Sequence, residues 1–121
     1  MDGKILIPLH GDEISPRFDL ASEVWLGRLD AQGRVIEART VVLPQASAED
    51  LCHLVVTEGV AHVICNGIDQ DHYDYLRWKR VAVTDGVMGL LQDVIDSLEH
   101  GGPEAGVNLF KPGKEKGHGM V

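Results

Sequence analysis

The chain has 121 residues, room for a single domain, and its 11 Lys plus Arg stand against 19 Asp plus Glu for a net charge of −8. Such a field repels phosphate backbones and argues against nucleic acid as a partner. With 44% hydrophobic and 25% charged residues the composition is that of a globular domain, and no apolar run approaches the roughly 18 residues of a membrane span. Met1-Asp2-Gly3-Lys4 leads straight into an apolar segment without a cleavage signal, so a cytoplasmic protein is expected, with Cys52 and Cys65 as reduced thiols.

Residues 4–10, Lys-Ile-Leu-Ile-Pro-Leu-His, are apolar on both parities and predict a strand buried on both faces. The following stretch, residues 10–19, has the Gly, Pro, Ser and acidic composition of a long loop. Residues 23–29 and 35–43 read as an antiparallel hairpin around Asp30-Ala31-Gln32-Gly33-Arg34. A helix follows from a Ser47 cap, with Leu51, Leu54 and Val55 at helical spacing before Gly59. Val60–Gly67 reads as a buried strand, Asp69–Lys79 as a short helix and Arg80–Thr84 as a fifth strand. Thr84 or Asp85 is expected to cap a last helix carrying Val87, Leu91, Val94 and Leu98. One domain over residues 1–102 and a flexible tail over 103–121 complete the expectation.

This order mixes an antiparallel hairpin edge with parallel strands joined by helices, an α/β three-layer sandwich. With the five strands numbered along the chain, the most economical sheet order is 3-2-1-4-5. Ligands of open α/β sheets lie outside the carboxyl ends of the strands. That edge gathers His10, Gly11, Asp12, Ser15, Arg17 and Phe18 after the first strand, Cys65, Asn66 and Gly67 after the fourth, and Thr84, Asp85 and Gly86 after the fifth. Glycines there admit a ligand close to the backbone, and a helix starting at Asp85 offers free N–H groups to an anion. Glycines also end strands in tight turns without any ligand.

Lys4-Ile5-Leu6-Ile7-Pro8 followed by Ile14-Ser15-Pro16-Arg17-Phe18-Asp19-Leu20-Ala21, then Val63-Ile64-Cys65-Asn66-Gly67-Ile68, resembles the dinitrogenase iron–molybdenum cofactor biosynthesis family over roughly residues 3 to 100. The resemblance implies a ribonuclease H-like fold without nuclease activity. It also implies a carrier of iron–sulfur or iron–molybdenum cluster precursors that exchanges them with donor or acceptor proteins. Where many nitrogenase-linked members have His-Phe-Gly, this chain has Arg17-Phe18-Asp19. A guanidinium cannot ligate a metal, but its fork of donors suits an anion, and Asp19 is placed to pair with it.

The His and Cys positions hold no C-x-x-C or H-x-x-x-H pair, so a structural zinc site is not expected. Cys65 and His10, at the ends of adjacent predicted strands, are the candidate metal ligands, an open set suited to a delivered cluster. An isolated cysteine in an apolar strand is equally an ordinary core residue. The candidate cargo-binding residues are His10, Asp12, Ser15, Arg17, Phe18, Asn66, Gly67 and Asp85. Strand one lacks the central acid a nuclease of this topology would need, and no Walker, G-x-S-x-G or G-x-G-x-x-G signature occurs, so a non-enzymatic role is expected. The competing expectation is a small-anion or protein-interaction module built on Arg17 and the segment near Asp85.

Overall fold

A computed structural model describes residues 2–110 of the chain. Its centre is β1 (Gly3–His10), whose burial follows from its uninterrupted apolar run: Ile5, Leu6 and Ile7 are fully buried. On one side β1 pairs antiparallel with β3 (Glu23–Leu29), in a register running from Gly3 opposite Leu29 to Leu9 opposite Glu23. β3 in turn pairs antiparallel with β4 (Val35–Val42). On its other side β1 runs parallel to β5 (His62–Ile64), which runs parallel to β6 (Ala82–Thr84). The path across the sheet is β4-β3-β1-β5-β6, and a two-residue strand, β2 (Glu13–Ile14), folds back on β1 with Leu9 opposite Ile14.

The sheet therefore has six strands where five were expected. β2 lies inside the segment with loop composition, and two residues leave no period to read. Its pairing is fixed instead by the apolar end of β1 and by Ile14, which is buried with it.

Helices cover both faces. Helix α1 (Ala48–Thr57) is capped by Ser47, whose hydroxyl accepts from the Asp50 N–H. Helix α2 (Gln70–Trp78) is capped by Asp69, which accepts from the His72 N–H. Leu51, Cys52, Val55 and Leu76 of these helices pack with Leu6, Val24, Leu26, Val63 and Cys65 on one face of the sheet. The opposite parity, Ile5, Ile7, Leu9, Trp25 and Ile64, packs with Val94 of helix α3 (Leu91–Ser97) and with Leu98 beyond it. Each fully buried aliphatic chain contributes about 1.5–3 kcal/mol relative to exposure.

One expectation about the end of the domain changes. The last helix begins at Leu91, not at Asp85. The intervening backbone is committed elsewhere: Gly86 N–H donates to Asn66, Val87 N–H to Cys65, and Gly89 accepts from Ile14 N–H. Gly89 stands at φ +154, a conformation that a helix cannot contain. The first part of the segment expected as a tail makes backbone bonds to the domain. Gly106 N–H donates to Asp85, Met88 N–H to Val107 and Leu109 N–H to Met88, while Val107 and Leu109 pack on the α3 side of the core. The rest of that tail, residues 111–121, lies outside the described residues.

Candidate functional site

The loops leaving β1 and β5 meet through their backbones. Gly67 N–H donates to the Pro16 carbonyl at 2.9 Å and Phe18 N–H donates to the Gly67 carbonyl at 2.7 Å, so residues 16–18 run as a short parallel bridge along Gly67. Glycine is required here by space: a Cβ at position 67 would stand 2.8 Å from the Pro16 carbonyl oxygen. Ser15 reinforces the loop from inside. It is buried, donates its hydroxyl to the Arg17 carbonyl at 2.9 Å, and its own N–H donates to Pro8. Phe18 is 1% exposed and anchors the segment in the core beneath α1 and α2. Ser15 and Phe18 thus hold the loop's shape.

Arg17 points the other way, with 61% of its side chain accessible. Its Nε and Nη2 donate to Asp19 Oδ1 and Oδ2 at 3.0 and 2.6 Å, a two-point charge-assisted pair. Arg17, Asp19, Gly67, Ile68 and Asp69 line a depression of about 190 Å³. The Nη1 hydrogens are free of that pair, so the guanidinium retains donors for an anion seated in the depression.

The other predicted residues are distributed around this unit. Asn66 lies next to it, its carbonyl accepting from Gly86 N–H. His10 and Asp12 are exposed on the β1–β2 turn, where His10 faces Glu13 and the Asp12 carbonyl accepts from Leu91 N–H, on the way to α3. Asp85 accepts through its carbonyl from Gly106 N–H, and no helix begins there. Ser15, Arg17, Phe18 and Gly67 form one bonded unit, Asn66 links it to Gly86 beside Asp85, and His10 and Asp12 lie on the β1–β2 turn.

Cys65 is fully buried among the residues between the sheet and helices α1 and α2. Burial, with the Asp85 charge second, pushes its thiol up to about 12. A thiol so placed is neither ionised nor accessible, whereas His10 stands in solvent. Among the described residues no group of three or more His, Cys, Asp and Glu side chains is arranged to hold a metal ion.

Sequence reasoning missed Asp69 and His72 as neighbours of this site. Beyond capping α2, Asp69 receives His72 Nδ1 at 2.5 Å, and His72 Nε2 reaches Glu49 of α1 at 3.2 Å. The hydrogen bond to Asp69, with that to Glu49, raises the His72 pKa. The spacing Asp69-x-x-His72 at a helix start was the available signal, since a side chain three residues into a helix lies back over its cap. A cavity of about 430 Å³ between α1 and α2 is lined by Glu49, Cys52, His53, Asp71, His72 and Tyr75. Burial raises the Cys52 thiol to about 11, with the Glu49 and Asp69 charges adding to it.

No family model matches the chain, and no curated protein matches it. Solved structures do. The crystal structure of PH0822 superposes with a TM-score of 0.75 at 22% identity, covering 82% of this chain and 90% of that one. A protein of Methanocaldococcus jannaschii named as a proposed dinitrogenase gives 0.68 at 20% identity, over 84% and 91%. The apo form of the orange protein of Desulfovibrio gigas gives 0.67 at 16% identity, over 87% and 94%. These likenesses establish the fold. No helix among the described residues is long and apolar enough to cross a membrane.

Proposed function

We propose that this domain belongs with the nitrogenase cofactor biosynthesis proteins and is a non-enzymatic cytoplasmic carrier. Its cargo is an anionic iron–sulfur or iron–molybdenum cluster precursor, passed between donor and acceptor proteins during metallocofactor assembly. The observation that carries the reading is Arg17. It is an accessible guanidinium in a depression at the carboxyl edge of the sheet, held by a loop clamped to Gly67, in a chain of net charge −8. A cation fixed against an acidic background selects a compact anion and repels polyanions. The names of two structural neighbours, a proposed dinitrogenase and the orange protein, support the cofactor connection. A ribonuclease H-like topology is part of this reading. The antiparallel half β1, β3, β4 and the parallel half β1, β5, β6 support it, while the middle of β1, Ile5-Leu6-Ile7-Pro8, offers no acid for metal-dependent hydrolysis.

In this arrangement Arg17 supplies charge and direction and the cargo's own bridging and terminal ligands accept its hydrogen bonds. Cys65 stays in the core and ligates nothing. Anaerobic incubation with iron and sulfide, or with a cluster donor, followed by measurement of bound iron per chain, tests the assignment. Uptake is expected in the wild type, retained in Cys65→Ser and lost in Arg17→Ala. Loss in Cys65→Ser with an intact fold would restore direct thiolate ligation. If the wild type takes up no iron, the carrier reading fails. The same accessible Arg17 then favours a small organic or inorganic anion as ligand, detected as iron-free thermal stabilisation by citrate or phosphate that Arg17→Ala abolishes.

A further inference from the structure

The two ends of the sheet are unlike. β6 is an edge of three residues, Ala82–Thr84, too short to template much pairing. β4 at the other end runs eight residues, Val35–Val42, and all but Val41 are exposed. Ile36 and Val42 leave 54% and 68% of their surface in solvent. Among the described residues no backbone group of β4 is bonded outside its ladder with β3. The usual devices that blunt an edge are sparse: the strand holds no Pro and no Lys, and its one irregularity leaves Ile36 without a β3 partner at the turn end, so Glu37–Val42 remain regular.

The sequence of this edge is complementary to itself. Glu37 and Arg39 flank Ala38, and their side chains lie on one face, opposite Arg28 and Leu26 of β3. We propose that β4 is the interface for a second copy of this chain, paired antiparallel about a two-fold axis at Ala38 to give one continuous sheet. In that register Glu37 of each copy faces Arg39 of the other, twice by symmetry, and the small Ala38 side chains meet on the axis. Moving the axis to residue 37 or 39 would bring two like charges face to face, so charge selects residue 38 over its immediate neighbours. Each cross-pair would extend an ion pair already present in the single chain. Glu37 receives Arg28 Nε at 3.0 Å and Arg39 Nη2 reaches Glu58 at 3.0 Å, so the signs alternate along Arg28, Glu37, partner Arg39, partner Glu58. On the opposite face Ile36 would lie against Thr40 of the other copy, covering one of the exposed apolar groups. The surface shares no residue with the Arg17 depression, so this inference stands independently of the cargo assignment.

Sedimentation or light-scattering mass across a dilution series is the test. The full chain is expected at twice its 13.2 kDa, dissociating on dilution. Glu37→Arg and Arg39→Glu, each alone, turn both cross-pairs into like-charge contacts and are expected to raise the dimer Kd about tenfold or more. Circular dichroism checks that each variant is folded. Mixing the two single variants brings a strand with two basic positions against one with two acidic positions, and should restore a heterodimer. The double variant Glu37→Arg with Arg39→Glu restores opposite charges across the axis and should self-associate more tightly than either single variant, though less tightly than the wild type because Arg28 and Glu58 then face like charges in their own chain. A wild type monomeric at every concentration overturns the proposal. So does a dimer indifferent to both single exchanges, or a failure of the two folded variants to pair on mixing.

Discussion

Replacing Gly67 by Ala probes the junction on which the site is built. The added methyl would sit 2.8 Å from the Pro16 carbonyl oxygen, a backbone atom with no side-chain freedom to move aside. Ordinary contact requires the loop to withdraw by about half an ångström or more. That retreat stretches both bonds of the junction, Gly67 N–H to Pro16 at 2.9 Å and Phe18 N–H to Gly67 at 2.7 Å. Weakening each costs about 0.5–1.5 kcal/mol, and lifting the wholly buried Phe18 adds to this, so about 1.5–3 kcal/mol in all is expected. For a chain of this size that is a fall in Tm of roughly 6–12 °C. Urea unfolding followed by tryptophan fluorescence is suited to the measurement because Trp25 is buried while Trp78 is 73% exposed. The midpoint should fall with an unchanged slope. Gly11→Ala is the contrast: nothing lies within 4 Å of its missing Cβ, but its φ is +66, so it loses only about 1 kcal/mol of stability to left-handed strain and should leave cargo uptake intact. A change below about 0.5 kcal/mol for Gly67→Ala would show that the Pro16 carbonyl moves freely and that the loop is not clamped.

His72 joins the starts of α1 and α2 through Glu49 and Asp69, and its pKa is raised by Asp69 first and Glu49 after desolvation. Its contribution is therefore complete below the unfolded value near 6.5 and lost as pH rises through the folded one, a decline of at most about 1 kcal/mol that His72→Asn should flatten in Tm measured against pH. Asp69, held low chiefly by the His72 hydrogen bond, acts oppositely: its share is present above the ordinary carboxylate range and disappears as pH falls through its lowered pKa. Both thiols are buried and raised, Cys65 to about 12 and Cys52 to about 11, so Ellman titration of native protein should be slow and become complete only on unfolding. Ending the chain at Gly102 removes three backbone bonds, from Gly106, Met88 and Leu109, together with the packing of Val107 and Leu109. A loss of at least about 2 kcal/mol is expected in chemical denaturation, and an unchanged midpoint would show that this segment does not support the core.

Elements whose causes are local were legible in the sequence. Ser47 announces α1, and Asp69 or Asp71 announces α2, because a cap and a periodic face lie within a few residues of each other; the structure uses Asp69. What depended on distant backbone was not. Asp85 has the side chain of a cap, but the residues after it are bonded to Asn66, Cys65 and the returning segment at 106–109 before a helix can start. The glycine at 67 was read as admitting a ligand or ending a strand, whereas the atom that approaches it is the Pro16 carbonyl. Cys65 and His10 end adjacent strands as expected, but parity says nothing of depth, and one is in the core while the other is in water. The exposed position of Arg17 on its loop, and its pairing with Asp19, were foreseeable from two residues of separation.

That pairing raises the question of whether Asp19 aids Arg17 or competes with its ligand. The carboxylate occupies Nε and one side of Nη2, leaving an anion the Nη1 side unless Asp19 is displaced. Arg17 and Asp19 are 61% and 37% accessible, and exposed ion pairs are worth little, so displacement costs about 1 kcal/mol or less. Meanwhile the Asp19 charge, a few ångströms from any anion in the depression, repels it through solvent-screened electrostatics of similar size. Both effects vanish in Asp19→Asn, whose amide oxygen still accepts one hydrogen bond from the guanidinium. Binding of the anion or cluster should therefore tighten about three- to tenfold, measured by calorimetry at fixed ionic strength, with the gain shrinking as salt is added. Weaker binding in Asp19→Asn would mean that the two-point grip sets the direction of Arg17, and that orientation outweighs charge at this site.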